Sequence, residues 1–162
     1  TAAPLAMVSC GLSKESAWLC IQWHVMAMYI PSFYTGTLID RFGKVPVTAC
    51  GLVLLALSGA VALAGLEIAH FWISLVLLGV GWNFGFVGAT SLVTDCYRPS
   101  ERSFVQAVND FAVFGTVAVA SFGSGQMLAL NGWTWVNLII FPSVAAALLS
   151  LLVIRRSAPA AA

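Results

Sequence analysis

The chain has 162 residues, 60% hydrophobic and 8% charged, with a formal net charge of +1, where an average soluble domain carries roughly 25% charged residues. Its thirteen charges, seven Lys plus Arg and six Asp plus Glu, are too few to keep the surface of such a globule in water, which excludes a soluble enzyme and a disordered chain. One net positive charge also gives no field for a nucleic acid, so an integral membrane protein remains.

The elements follow in chain order. Residues 1–10 are apolar but shorter than the 20 or so needed to cross the hydrocarbon core, so they read as the end of a truncated helix. Gly11 can stop it. Ser13 can cap the first full span, about Ser16 to Ile39, with Glu15 in its first turn. Pro31 lies inside that span and is expected to kink it. The second span runs from about Val45 to Leu66, with Pro46 near its start, where a missing N–H costs nothing. The third covers about Phe71 to Thr94. Pro99-Ser100-Glu101 reads as a cap before the fourth, about Phe104 to Leu130, which Asn131-Gly132 stops. The fifth runs from about Trp133 to Ile154. These runs are twice the length of barrel strands and do not alternate, so helices are the expectation. The organisation expected is a truncated helix at 1–10, a five-span bundle at 11–156 and a short cytoplasmic tail at 157–162. No basic n-region marks a signal peptide, and the missing initial Met reads as a start inside a longer protein.

Alternating the spans sorts the charges. Arg41, Lys44, Arg98, Arg102, Arg155 and Arg156 fall on one side and Lys14 alone on the other. The positive-inside rule makes the first side cytoplasmic, with the C-terminus. Trp18, Trp72, Trp133 and Trp135 near the opposite ends agree, since indole rings favour the headgroup zone.

Two kinds of residue carry a functional signal. The first is the run GTLIDRFGK, Gly36 to Lys44. Gly36 lets a neighbouring helix approach one turn before Asp40. Asp40 can accept from a nearby helix start, Gly43 permits a tight turn, and Arg41 and Lys44 anchor the loop. The plain alternative is an ordinary charged loop. The second kind is polar side chains at membrane depth. Asp110 lies roughly 15 Å from the basic-side start of its span at 1.5 Å per residue, and an acid there faces a protein interior or a wet path. Ser103, Gln106, Asp110, Val117, Ser121 and Ser124 share its helix face, bordered by Asn109. A packing contact is the rival role for Asp110. Gln22 and His24 sit at depth in the first span, about 200° apart on the helix, so at most one faces a path squarely. His24 could carry a proton, though a lone His is more often a satisfied structural group. Asn83 lies mid-span in GVGWNFG, where Gly81 and Gly85 form a GxxxG pair. Polar glue in close packing is the favoured role. Trp82 and Phe84 could line a path. Asp95 is expected to pair with a basic loop residue. Cys10, Cys20, Cys50 and Cys96 show no metal or redox spacing and read as apolar filler.

Gly36, Asp40, Arg41, Gly43 and Lys44 resemble the GxxxDRxGRR loop signature of the major facilitator superfamily, departing at Val45. WHVMAMYIPSFYTG resembles the eighth helix of a bacterial group in that superfamily. Leu77 to Thr90 and Tyr97 to Thr116 resemble its tenth and eleventh. The resemblance implies an all-α integral membrane protein: half of a twelve-helix bundle, with five full spans and a truncated one. The third span lacks the Arg of a fourth helix and the fourth span lacks a Gly-Pro pair, so the C-terminal half is implied.

The function expected is a secondary active transporter moving a small solute by alternating access, with Asp110, Asn109, Gln106, Gln22, His24 and Asn83 on the substrate or proton path. Asp40 would hold a gate against the start of the fourth span near Ser100–Arg102. The partners expected are a small-molecule substrate, a proton as candidate co-substrate, the lipid bilayer and a missing N-terminal six-helix half, with no nucleic acid, cofactor or metal. The location expected is the bacterial inner membrane. The alternative is a non-transporting structural or assembly protein. A membrane enzyme fits poorly, because no nucleophile, base or metal cluster is visible.

Overall fold

A computed structural model of the chain describes residues 2–157, with side chains through 153. The remaining tail and the side chains of Arg155 and Arg156 lie outside the described residues. The helices are α1 (Ala2–Ser9), α2 (Lys14–Tyr29), α3 (Ser32–Phe42), α4 (Lys44–Ala64), α5 (Ile68–Val93), α6 (Arg102–Leu138) and α7 (Ile140–Ser157). Two short 3-10 turns, Thr94–Cys96 and Pro99–Glu101, join α5 to α6.

Local chemistry explains most of the boundaries. Gly11, at φ 81°, ends α1: its N–H donates to Val8 O and the Leu12 N–H to Met7 O. That pair of bonds is a Schellman cap, and it needs the left-handed residue that glycine supplies cheaply. Ser13 accepts the Ser16 N–H at 3.1 Å and caps α2. Gly43, at φ 91°, is the whole connection between α3 and α4. The Glu101 carboxylate accepts the Arg98 N–H at 3.1 Å and closes the turn before α6.

Two expected spans are not continuous helices. The first is interrupted at Ile30–Pro31, between α2 and α3: both residues keep helical dihedrals, so this is the kink expected of Pro31, with the hydrogen-bond run broken there. Proline has no N–H for the carbonyl four residues back, and its ring crowds that carbonyl. Pro142, to which the spacing of apolar residues gave no weight, does the same to the fifth span at Ile139. Gly132, at φ 81° and ψ 178°, interrupts α6 near the turn that Asn131-Gly132 announced. Among the described residues, three apolar runs are long enough to cross a membrane: Lys44–Ala64, Ile68–Cys96 and Pro99–Val153, the last containing that interruption. The protein is an all-α membrane protein.

α5 is the centre of the bundle. One side packs along α4, another along α2, and α3 touches both α4 and α5. The α4–α5 approach is close because glycines remove the side chains between the backbones. A Cβ added to Gly51 would run into the backbone at Gly85 and come within 2.8 Å of Gly81 O. One added to Gly88 would collide with the Thr48 hydroxyl. Gly79 does the same work towards α2, where a Cβ would meet His24 O at 2.6 Å. Small residues at such crossings replace the hydrophobic drive that lipid removes.

The two ends differ in chemistry. At one, Ala6, Met7, Ala17, Cys20, Phe71 and Leu75 form an apolar cluster, with Leu12, Trp72 and Trp133 against it. There the Trp133 indole N–H donates to Ala62 O at 2.9 Å. At the other end lie Arg41, Lys44 and the connection 94–101. Lys44 pairs with Asp95 at 2.5 Å, as the loop charges suggested, and also donates to Thr94 Oγ1. Both groups are partly in solvent, so the pair adds less than about 1 kcal/mol. Both arms of α6–α7 pack on α4, and α6 is poorly covered: Phe104, Phe111 and Phe122 stand in the open.

Candidate functional site

The six polar candidates at depth do not converge on one cavity. Gln22 is exposed on α2 and makes no hydrogen bond among the described residues. Two turns of helix and the break carry that exposed side on through Met26, Tyr29, Phe33, Gly36 and Asp40. These residues recur at alternating steps of four and three, so a stripe with polar ends and an aromatic middle runs along α2 and α3.

His24 turns the other way. Its Nδ1 lies 2.7 Å from Leu75 O, which marks Nδ1 as the protonated nitrogen. The ring lines a cavity of about 240 Å³ with Ser58, Ser74, Ser124 and Asn137. Asn83 is 3% exposed and has three partners. Its Nδ2 donates to Met28 O at 2.8 Å and to Ser32 Oγ at 2.5 Å, and its Oδ1 accepts from Thr35 Oγ1 at 2.6 Å. That is the polar-glue geometry, built on the break at Pro31.

On α6, Gln106 donates to the Tyr97 hydroxyl at 2.9 Å. Asn109 donates to Asp110 Oδ1 at 3.2 Å. The two neighbours face different surroundings. Asn109 lines a second cavity, about 470 Å³, together with Thr48, Trp82, Phe86, Val113 and Ser150. Asp110 is exposed on the outside of the bundle. An ionised carboxylate left facing hydrocarbon is costly, so its side of α6 needs water or protein next to it.

Two aromatic rings, Trp82 and Phe86, line the second cavity and begin a ladder that continues to Phe114 outside its lining. Trp82 and Phe86 stack with centroids 5.9 Å apart and planes 5° from parallel, and Phe114 tilts against Phe86 at 5.7 Å. Phe86 is one turn beyond Trp82, so helical spacing alone could have joined them. The link to Phe114 on α6 needed the fold. Phe84 lies elsewhere, against Leu38, Phe42 and Cys50 between α3 and α4. The other partners missed in sequence, Ser32, Thr35 and Tyr97, are ordinary hydroxyl residues without a pattern of their own.

The loop residues are split. Lys44 is engaged by Asp95, and Arg41 lies 5.2 Å from the Phe42 ring. Asp40 is exposed and makes no hydrogen bond among the described residues, so its expected contact with Ser100–Arg102 is not made in this structure. A Cβ at Gly36 would meet nothing within 4 Å. No helix among the described residues uses the approach that Gly36 allows. No cluster of three His, Cys, Asp or Glu side chains occurs among the described residues.

Residues 1–162 match the family model of the Major Facilitator Superfamily. The chain is 54% identical over 162 residues to a protein named riboflavin transporter RfnT from Brucella anthropi, covering 100% of this chain and 41% of that protein. It is 36% identical over 156 residues to the uncharacterized MFS-type transporter YddS of Bacillus subtilis, covering 95% of this chain and 34% of that protein. A second such protein of Bacillus subtilis, YdeG, is 32% identical over 141 residues, covering 86% of this chain and 33% of that protein. The chain thus spans about two fifths or less of the length of these relatives. No solved structure matches it.

Proposed function

This chain belongs to the major facilitator superfamily, and from that premise we propose that it is the C-terminal half of a secondary transporter that carries a small solute by alternating access. The observation that carries this reading is the match over all 162 residues, joined to 54% identity with a protein named as a riboflavin transporter. The substrate proposed is riboflavin or a similar planar heteroaromatic solute. The aromatic ladder supports that class: Trp82, Phe86 and Phe114 offer ring faces, and Asn109 sets a carboxamide beside them. Offset or tilted stacking of a flat ring on such side chains favours it beyond the area it buries.

In this reading the outward stripe of α2 and α3 and the exposed side of α6 at Asp110 border the path between two halves. Gln22 and Asp110 supply polar groups on that outward surface, while Asn109 serves the second cavity beside the aromatic ladder and Gln106 is held by Tyr97. His24 and Asn83 support the walls, with His24 as a further candidate proton carrier. The two halves rock about the bound solute. The exposed Asp40 and the empty space at Gly36 await a partner from the other half. The end bearing Arg41, Lys44, Arg98 and Arg102 is cytoplasmic and the membrane is the bacterial inner one. The residues read as transport machinery, without an enzymatic role.

The test is uptake of labelled riboflavin by a bacterial riboflavin auxotroph expressing the full-length protein. Saturable uptake that unlabelled riboflavin competes away, and that Trp82→Ala lowers by raising KM, is the expected result. If the auxotroph is not rescued and no uptake of riboflavin or flavin analogues occurs, the substrate is wrong. If purified protein in liposomes moves no solute at all, the transport reading falls with it.

A further inference from the structure

The break between α2 and α3 leaves backbone groups that a continuous helix would have paired. Pro31 offers no N–H to the carbonyl four residues back, and the chain restarts with the Tyr34 and Thr35 N–H groups donating to Pro31 O. Unpaired backbone groups at membrane depth are strongly disfavoured, because no water is present to take them. One side chain of α5 bridges the break, at Met28 O, the carbonyl next to the Ala27 O that Pro31 leaves without its N–H. The Asn83 carboxamide reaches the last turn of α2 through Met28 O and the first two turns of α3 through Ser32 and Thr35. Its amide nitrogen spends both protons there. The Thr35 hydroxyl is fully buried and also within 2.8 Å of Pro31 O, so its single proton is shared between the break and Asn83.

Two further features make this a fixed joint. Gly79, one turn before Asn83, holds the α5 backbone so close to α2 that a Cβ there would sit 2.8 Å from Ala27 Cβ. Beyond the far end of α3, Lys44 is tied to Asp95 and Thr94, just past α5. α3 is therefore bound to the α5 segment near both of its ends, while its covalent link to α2 is the broken turn.

We propose that Asn83 is a positioning residue: it sets the angle at the Pro31 break and locks α2, α3 and the Gly36–Lys44 loop to α5 as one body. The consequence for transport rests on the function proposed above, but the geometry stands or falls by itself.

The test is a double-mutant cycle in the full-length protein, in a background where the exposed Cys10, Cys50 and Cys96 are replaced by Ser. A cysteine placed at Thr37 reports the position of α3 by its maleimide labelling rate, and solute uptake is measured beside it. Asn83→Ala is expected to change the labelling rate by about five-fold or more and to lower the maximal uptake rate. Adding Pro31→Ala lets the helix pair its own carbonyls, so the double variant is expected within about two-fold of Pro31→Ala alone. If Asn83→Ala labels like the parent, or has as large an effect in the Pro31→Ala background as in the parent, Asn83 is only packing and the proposal is overturned. Should Asn83→Ala fail to fold, Ser32→Ala and Thr35→Val each remove one of its bonds and are expected to shift labelling in the same direction. Unchanged labelling in both also overturns it. Shifted labelling in a protein that moves no solute would refute the transport reading and leave the joint standing.

Discussion

Replacing Gly81 by Ala and Gly85 by Ala should have opposite effects, although sequence treats them as one GxxxG pair. A Cβ on Gly81 would lie 2.9 Å from Gly51 O, 3.0 Å from Leu55 N and 3.1 Å from Leu55 Cδ2. Two of those three atoms are backbone, so no rotamer change relieves them. Ordinary contact begins at 3.4 Å, so α4 and α5 must part by at least about 0.5 Å, a gap that forfeits roughly a quarter of each dispersion well along the interface. At about 0.1–0.2 kcal/mol per atom pair over some tens of pairs, the loss comes to about 1–3 kcal/mol, the range found for overpacked cores. A Cβ on Gly85 meets nothing within 4 Å. Both changes gain the same helix propensity, up to about 1 kcal/mol, so the difference between the two variants isolates the clash. The assay is thermal unfolding of the detergent-solubilised full-length protein. Gly81→Ala should melt a few degrees below the parent and Gly85→Ala at or slightly above it. Equal melting of the two variants would refute the packing argument, which predicts a clash at Gly81 alone.

Other expectations follow from the candidate site. Asp110→Asn in the full-length protein should lower uptake, because an exposed carboxylate on α6 is otherwise hard to account for in lipid. Unchanged uptake would reduce Asp110 to a helix contact with Asn109. Asp40→Ala should leave the stability of this half unchanged, as Asp40 has no partner among the described residues, yet slow transport; a fall in melting temperature with normal transport would reverse that assignment. Lys44→Met removes a half-exposed ion pair and should cost less than about 1 kcal/mol, an effect that high salt erases. A salt-independent loss would mean that Lys44 does more than pair with Asp95.

Much of the fold was legible from local rules. Gly11, Ser13, Gly43 and Gly132 act where the sequence placed them, because capping and left-handed turns depend on a few neighbouring residues. The loop pair Lys44–Asp95 was legible for a similar reason: both groups had to lie at the same end of adjacent helices. Pro142 was passed over because it sits in an otherwise uniform apolar run, and hydropathy does not register a missing N–H. Among the polar residues, sequence could rank depth but not direction. Asn109 and Asp110 are adjacent, yet one lines a cavity and the other faces outward, since successive residues turn by about 100°.

The sequence by itself determined the class of the protein, its helical build and most of its helix ends. Those properties follow from the shortage of charge and from groups that interact within one turn of chain. Only the tertiary structure decided what each polar or small residue does. Asn83 became a pin for a break in a distant part of the chain, His24 turned to Leu75, and the two glycines of one motif took unlike surroundings. Each outcome depends on which helix lies against that face, and the contacts that settle it join residues far apart in the chain.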